Sequence, residues 1–522
     1  ISVSAGAGND SLFDVPNNKS QTESGAGGRV SGNYCCLNPL HRNPSGNATA
    51  TNGNLVWGGS DNNHHTIAGT FGVSSGKYYW EATMTATPTN YIGLGMCKAD
   101  HTFTNIIPGY DEDTAFTIYN TAGRYYYNST TTSAYGTSWT TGDVIGVRYD
   151  EGKVYFYKNG TIMNASPILT LTGKWCPMFH TYDTGQWVVN FGQRPFVHSA
   201  PTNHKPLCTA LLPTPTVSNP SDHFETKIFT GNGSTTTLTT GFSPDFIWLK
   251  SRESTFNHYI ADTVRGNTKL LNTNTTSAET TSSTGVTSFN NDGVTLGSGS
   301  ETNASGDDMV AWLWDAGTST VSNTDGSITS QVRASQTCGV SIVTFTGTGA
   351  NATIGHGLNA EPHMLLTKCR ESGFNWAVYH KSSGNTGRLM LNNTLTFASG
   401  STFWNNTTPT SSVFSVGSFF ANNNTFLGIC FAPVEGFSAF GSFAGNGNAS
   451  NPPFVNTGFR PAWVMFRRRD NTGDWIIFDN KRNTSDLNGN YIDKVLYPNK
   501  TTAEEDGANG DTMLFLSNGF KL

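Results

Sequence analysis

The sequence predicts an all-β chain of several domains, and three observations carry that reading. Few stretches place apolar residues at helical spacing over three turns. Runs of strand formers recur instead, such as Lys77-Tyr-Tyr-Trp-Glu-Ala-Thr-Met84 and Val154-Tyr-Phe-Tyr157. Gly, Asn and Pro separate these runs, as turns between short strands require.

Composition agrees. Of 522 residues, 13% are charged, 36% are hydrophobic and 12% are aromatic, and 57 are Gly. Low charge with many aromatics and turn formers suits strands joined by polar loops rather than a disordered chain. At about 100–200 residues per domain, the length suggests roughly three to five domains. A formal net charge of −6 leaves no broad basic field for nucleic acid. Arg467, Arg468 and Arg469, with Lys481 and Arg482 nearby, read as a solvated edge-strand end. No run of 18 apolar residues occurs, so no membrane-inserted helix is expected.

The first residue is Ile and no secretory signal is visible, which suggests a start inside a longer product or after processing. The eight Cys form no CxxC pair and read as small core hydrophobes, in keeping with a reduced assembly compartment such as a bacterial cytosol.

Along the chain, residues 1–30 are rich in Gly, Ser and Asn and read as an arm or connector. Residues 31–200 are dense in strands. In that region Lys158-Asn-Gly160 should close a hairpin, because Asn-Gly suits the tight primed turn. Tyr79 and Glu81 should share one strand face, with Tyr78 and Trp80 on the other. A Pro-rich stretch, 201–221, reads as a stiff linker.

Past residue 222 the chain repeats itself. Gly241-Phe-Ser-Pro-Asp-Phe-Ile-Trp-Leu-Lys250, Gly357-Leu-Asn-Ala-Glu-Pro-His-Met-Leu-Leu-Thr-Lys368 and Gly458-Phe-Arg-Pro-Ala-Trp-Val-Met-Phe-Arg-Arg468 each set Gly and Pro before an apolar strand. The motif glycines lie 116 and 101 residues apart, too far for solenoid units. The expectation is three tandem related β-sandwich domains, 222–335, 336–436 and 437–522. A closing strand, Met309–Trp314 or Thr425–Phe431, ends the first two. None follows in the third, so it is expected to be truncated. Either the natural chain would continue past Leu522, or a neighbouring chain would supply the strand.

The 31–200 region resembles a SPRY domain. Gly76-Lys-Tyr-Tyr-Trp-Glu81, Ile92-Gly-Leu-Gly95, Gly142-Asp-Val-Ile-Gly-Val-Arg-Tyr-Asp150, Gly152-Lys-Val-Tyr-Phe-Tyr-Lys-Asn-Gly160, Trp175-Cys-Pro-Met-Phe179 and Val188-Val-Asn-Phe-Gly-Gln193 carry the likeness. It implies a concanavalin-like β-sandwich that binds partners through surface loops and has no common catalytic residue. The whole chain, from Leu12-Phe-Asp-Val-Pro16 through Gly32-Asn-Tyr-Cys-Cys-Leu-Asn-Pro-Leu40 to Ser517-Asn-Gly-Phe-Lys521, is similar to SPRY-containing structural proteins of marine tailed bacteriophages.

That likeness implies a virion tail fibre or spike that attaches to the host. Its expected partners are other virion proteins and a host-surface glycan or protein. Analogy with phage fibres implies a homotrimer. A capsid or tail decoration protein, and a glycan-depolymerising spike, are the alternatives.

The search for chemistry points to binding. A retaining glycosidase needs two carboxylates about 5–5.5 Å apart, and no alternating acidic run supplies them. No nucleophile elbow and no P-loop occur, and no cofactor is implied. Asp111 and Asp113 read as a solvated loop and could at most share a calcium ion. Asp506-Gly-Ala-Asn-Gly-Asp511 reads as a polar loop and His64-His65 as loop surface. The candidate ligand contacts are Tyr110, Arg124, Tyr125, Tyr126, Tyr127, Tyr135 and Trp139, aromatics set among small polar residues. Such side chains give flat contact area at low entropy cost. The competing reading packs the alternate tyrosines in the core.

Overall fold

The computed structural model describes residues 33–522 apart from 44–46, 87, 89–90, 104–106, 111–112, 122, 129, 133–134, 446, 448–451, 484–490 and 508–511. Residues 1–30 and Asp111 therefore lie outside the described residues, as does part of the 506–511 loop. Strands and turns dominate. The helical pieces among the described residues are a four-residue turn at Ser300–Asn303 and three 3-10 turns. The chain packs as two compact units. One holds residues through Thr214 together with Phe443–Gly458, and the other holds Pro215–Ser442 with Phe459–Leu522.

In the first unit two antiparallel sheets face each other. The seven-stranded sheet runs Leu37–Arg42, His64–Gly69, Trp175–Tyr182, Ile92–Lys98, Ala115–Tyr119, Tyr125–Tyr127 and Thr130–Thr132. The other has Lys77–Ala86 at its centre, between Val144–Asp150 and Gln186–Asn190. Alternation on Lys77–Ala86 sends Tyr78, Trp80, Ala82 and Met84 into the core. Tyr79 and Glu81 take the other face, as a pleated strand demands.

The Gly-Asp and Lys-Asn-Gly motifs meet in space. Asn159 and Gly160 both take positive φ, 48° and 80°, and close the hairpin. The Asn159 side chain accepts from the Val144 amide at 2.8 Å and donates to Asp143 at 2.7 Å. Asp143 also pairs with Lys158 at 3.1 Å.

Trp187 spans the sandwich. Its indole N–H donates to the carbonyls of Gly93 and His180, both at 3.1 Å, on the facing sheet. Glu81 is buried and accepts from the amides of Val197 and His198 at 2.7 and 2.9 Å. This straps the following segment to the sheet. The Pro-rich stretch expected as a linker continues the strap. Lys205 exchanges backbone hydrogen bonds with Lys77 and Tyr79, and Leu211 accepts from the Tyr78 hydroxyl.

In the second unit each closing strand lies in the middle of a sheet. Asp308–Trp314 pairs with both Phe224–Thr230 and Phe246–Ser251. Thr425–Phe431 pairs with both Val340–Thr346 and Met364–Cys369. Further on, Trp463–Arg467 pairs with Trp475–Asp479 in a two-stranded sheet.

The same small devices recur at three places. The amides of His258, Trp376 and Trp475 donate to Asn274, Asn392 and Asn499 at 3.0, 2.9 and 2.9 Å. Five residues after each Asn stand Glu279, Phe397 and Glu504. Their amides donate to the carbonyls of Arg370, Arg469 and Arg252 at 2.7, 3.2 and 2.6 Å. The contacts run from 279 forward to 370, from 397 forward to 469, and from 504 back to 252.

Side chains reinforce this circuit. Arg370 grips Glu279 through two hydrogen bonds of 2.9 Å, and Arg252 grips Glu504 at 2.9 and 2.6 Å. Arg265, held by Asp262 at 2.5 Å, also reaches Glu279 at 2.9 Å. Arg482, held by Asp479 at 2.6 Å, reaches Glu504 at 2.9 Å. At the second of the three places, His380 and Ser383 stand where the other two have Asp and Arg, and Phe397 stands where they have Glu. There the Arg469 guanidinium lies 4.8 Å over the Phe397 ring instead.

The arginine run is therefore only in part a solvated strand end. Arg467 bonds the Met390 and Leu395 carbonyls at 3.1 and 2.6 Å and lies over Trp475. Arg468 and Arg469 are exposed, and Arg468 pairs with Asp470.

The Glu279 carboxyl lies below its ordinary value of 4.5. Burial acts to raise it, but the Arg370 hydrogen bonds and the Arg265 charge outweigh that. A carboxyl depressed on folding contributes stability that is full above the unfolded value and is lost as pH falls through the folded one. Acid should therefore destabilise this unit below about pH 4.5. Urea midpoints taken from pH 7 downward should fall less steeply for Glu279→Gln than for the wild type. An unchanged slope would contradict this account.

Candidate functional site

The outer face of the seven-stranded sheet carries a cluster of aromatics. Strand alternation sends Phe179, Ile67, Leu94, Phe116 and Ile118 into the core. It leaves His180, Tyr182, His64 and Tyr119 on the far side. One end of that face is covered. Phe103 packs there with Ala68, Cys97, Ala115, Cys176 and Met178. His41 and His101 lie against Phe103, with ring centroids 5.1 and 4.6 Å away.

The other end is an aromatic patch. Tyr126 lies 5.6 Å from Tyr110 and 5.3 Å from Tyr119, and Tyr119 lies 5.9 Å from Tyr91. The cluster continues through His180, 5.6 Å from Tyr119, to His64 and Tyr182. Tyr91 and Tyr110 are 40% and 48% exposed, so their rings are open to a partner.

The rings of the patch are uncharged, with the Arg124 charge beside Tyr126. Burial, then the neighbouring His64 and His65, hold His180 well below its usual range. Burial and then His65 also lower His64, which shares a 3.0 Å hydrogen bond with His180. Burial, with Tyr91 and Tyr110 adding, raises Tyr126. Uncharged rings carrying hydroxyls suit a protein surface, where aromatics anchor and charge is depleted.

The candidate ligand contacts divide. Tyr110 and Tyr126 belong to the patch, and Arg124 is exposed beside it. Tyr125 and Tyr127 turn to the opposite face and pack against the core. Tyr135 and Trp139 are 8% and 3% exposed and lie within the core, so they offer a partner little surface. Tyr135 donates its hydroxyl to the Ser166 carbonyl at 2.7 Å.

His64 and His65 form the start of a strand rather than a loop, and they part to opposite faces. His65 is buried against Asp61. Sequence reading missed Tyr91, His64, His180 and Tyr182. The alternation of Trp175–Tyr182 was the signal that could have placed His180 with Tyr182.

Asp113 is exposed, and it forms no group with metal-ligating neighbours among the described residues. One such group does occur there: His223, Asp315 and Cys338 bring their ligand atoms within 4.8 Å. His223 hydrogen-bonds Asp315 at 2.7 Å, and the Cys338 thiol, pushed up to about 12 by burial, contacts the Asp315 carbonyl at 3.2 Å. All eight Cys are free, and seven are buried.

Comparison with known proteins bears on these features. Residues 77–194 match the SPRY domain family, and residues 219–522 match a family described as a domain of unknown function, DUF7483. A stretch of 127 residues is 32% identical to the Ran-binding proteins 9/10 homolog of Drosophila melanogaster. That stretch is 24% of this chain and spans 13% of the fly protein. Among solved structures, the SPRY domain of human HERC1 is 18% identical over 30% of this chain and 96% of its own, with a TM-score of 0.24. A human SPRY domain is 13% identical over 27% and 94%, with a TM-score of 0.23. The TRIM65 PSpry domain is 10% identical over 30% and 88%, with a TM-score of 0.24.

These relatives overturn the virion expectation. A curated match is a fly Ran-binding protein homolog, not a phage fibre. The tail-fibre or spike identity, the virion location, and the virion and host-glycan partners are corrected accordingly. The absence of catalysis stands on the family: a SPRY domain is a protein-interaction module without enzymatic activity. No helix among the described residues is long and apolar enough to cross a membrane. This all-β chain carries an N-terminal SPRY sandwich followed by further sheet-rich structure, and by the match over residues 219–522 it belongs to the DUF7483 family.

Proposed function

We propose that this chain is a non-catalytic docking protein whose SPRY sandwich holds a protein partner on the patch of Tyr91, Tyr110 and Tyr126. The observation that supports this reading most is a cluster of neutral, half-open rings on a sheet face whose other end is already covered. A rigid sheet presents such rings at little entropy cost. The fly relative's name couples that protein to Ran; for this chain the proposal is a polypeptide ligand of apolar and aromatic character.

The DUF7483 region serves in this reading as a rigid platform. It comprises three related β units, 222–335, 336–436 and 437–522. The circuit of Glu279, Phe397 and Glu504 supports that division, since each marks the same place in its unit.

Peptides selected from a random library on the whole chain test the proposal. Binding to the Tyr110→Ala, Tyr126→Ala double variant should weaken by about tenfold or more, in line with the loss of two aromatic anchors. Ile162→Ser, on the opposite sheet, should leave affinity unchanged. Peptides that ignore the double substitution, or failure to select any binder, would count against it.

A further inference from the structure

We propose that His223, Asp315 and Cys338 form a metal site in the DUF7483 region, and that it takes zinc or a divalent ion of like chemistry. The proposal goes beyond the docking role of the sandwich and does not depend on it. Strand ends bring the three side chains together. His223 immediately precedes Phe224–Thr230, and Asp315 immediately follows Asp308–Trp314, the strand paired with it. Cys338 sits in the tight turn between Ser330–Ser335 and Val340–Thr346. Gly339, at a φ of 72°, shapes that turn, and its amide donates to the Ser335 carbonyl at 2.9 Å.

The ladder does not need these side chains. The Asp315 amide donates to the His223 carbonyl at 2.9 Å and closes that strand pair. The Ala432 amide makes the same contact with the Gly339 carbonyl, at 2.8 Å, where Thr425–Phe431 pairs with Val340–Thr346. The backbone thus closes equally well with no polar side chain at either position. His223 and Asp315 add a polar cluster against a thiol, Cys338, that is fully buried.

Geometry and charge fit a tetrahedral ion. His223 Nδ1 lies 2.7 Å and Cys338 Sγ 4.0 Å from the same oxygen, Asp315 Oδ2, and the three ligand atoms fall within 4.8 Å of one another. Zinc bonds of about 2.0–2.3 Å set tetrahedral ligand atoms roughly 3.3–3.8 Å apart, so shifts of about 1 Å seat the ion. Asp315 is already aimed: its Oδ1 accepts from the Gly317 amide at 2.7 Å, which leaves Oδ2 toward the other two ligands. The Ser335 hydroxyl, 3.3 Å from Oδ2, or a water takes the fourth position. The Phe437 ring packs edge-on against His223, with centroids 6.1 Å apart, and steadies the imidazole. Coordination forms a metal–sulfur bond and releases the thiol proton to solvent, while the imidazole binds uncharged through Nδ1 with its proton on Nε2. Thiolate and carboxylate together then balance the divalent charge, as a half-buried site requires. Magnesium and calcium fit poorly, because they call for six or more oxygen ligands.

Cobalt(II), a spectroscopic stand-in for zinc, tests this when added to the whole chain with its thiols kept reduced. A thiolate-to-cobalt charge-transfer band and the intense visible bands of a tetrahedral ion should appear, and zinc should abolish both while magnesium does not. Cys338→Ala should remove the charge-transfer band, and Cys36→Ala, at a half-buried thiol of the sandwich, should keep it. His223→Asn, at a partly exposed side chain, should weaken cobalt binding by about tenfold or more. Excess zinc should raise the urea midpoint of the wild type, and that of His223→Asn clearly less. No thiolate band from the wild type would overturn the proposal. So would a band that survives Cys338→Ala, or binding that His223→Asn leaves unchanged.

Discussion

Asp479→Ala is expected to destabilise the DUF7483 region by about 3–5 kcal/mol, the cost of leaving a buried cation without its partner. Asp479 and Arg482 are both fully buried. The carboxylate accepts from the Arg482 guanidinium at 2.6 Å, from the Lys481 and Arg482 amides at 3.0 Å each, and from the Trp312 indole at 3.0 Å. The last of these joins residues 167 positions apart in the chain. The substitution therefore strands a guanidinium and an indole N–H, and frees the arginine that steadies Glu504. Glu504→Gln keeps the shape and one acceptor and should cost less. Urea denaturation at pH 7 checks the order. Equal costs for the two variants would contradict this order, and a negligible cost for Asp479→Ala would mean that the circuit contributes little.

Trp187→Ala should cost a similar amount, about 3–5 kcal/mol, by opening a cavity in the sandwich. The ring is fully buried, and its N–H bridges to two carbonyls of the facing sheet. Trp187→Phe should cost clearly less, because volume is largely kept while a bifurcated hydrogen bond worth about 1 kcal/mol is lost. Thermal melts of the two variants separate packing from hydrogen bonding. A phenylalanine variant as unstable as the alanine one would show that the hydrogen bonds dominate.

Local signals in the sequence carried the fold well. Lys158-Asn-Gly160 reads as a hairpin because Asn and Gly tolerate positive φ, and both adopt it. Tyr79 and Glu81 separate from Tyr78 and Trp80 because a strand has period two. The site was harder to see. Tyr125, Tyr126 and Tyr127 are chemically alike and adjacent, so no pattern says which one faces outward until the pairing of Tyr126 with Thr117 sets the register. Arg370 and Glu279 lie 91 residues apart, and no window along the chain relates them. The wealth of Asn, Ser and Thr reports turns and strand edges in any all-β protein. That is why it misled about where the chain resides and what it serves.

A polypeptide docked on the tyrosine patch would lie beside Tyr110 and away from Ile162 on the opposite sheet. A photoreactive phenylalanine analogue placed at each of these positions in turn, with the library-selected peptide bound, should give crosslinks from position 110 and none from position 162; the reverse pattern would contradict docking on the patch.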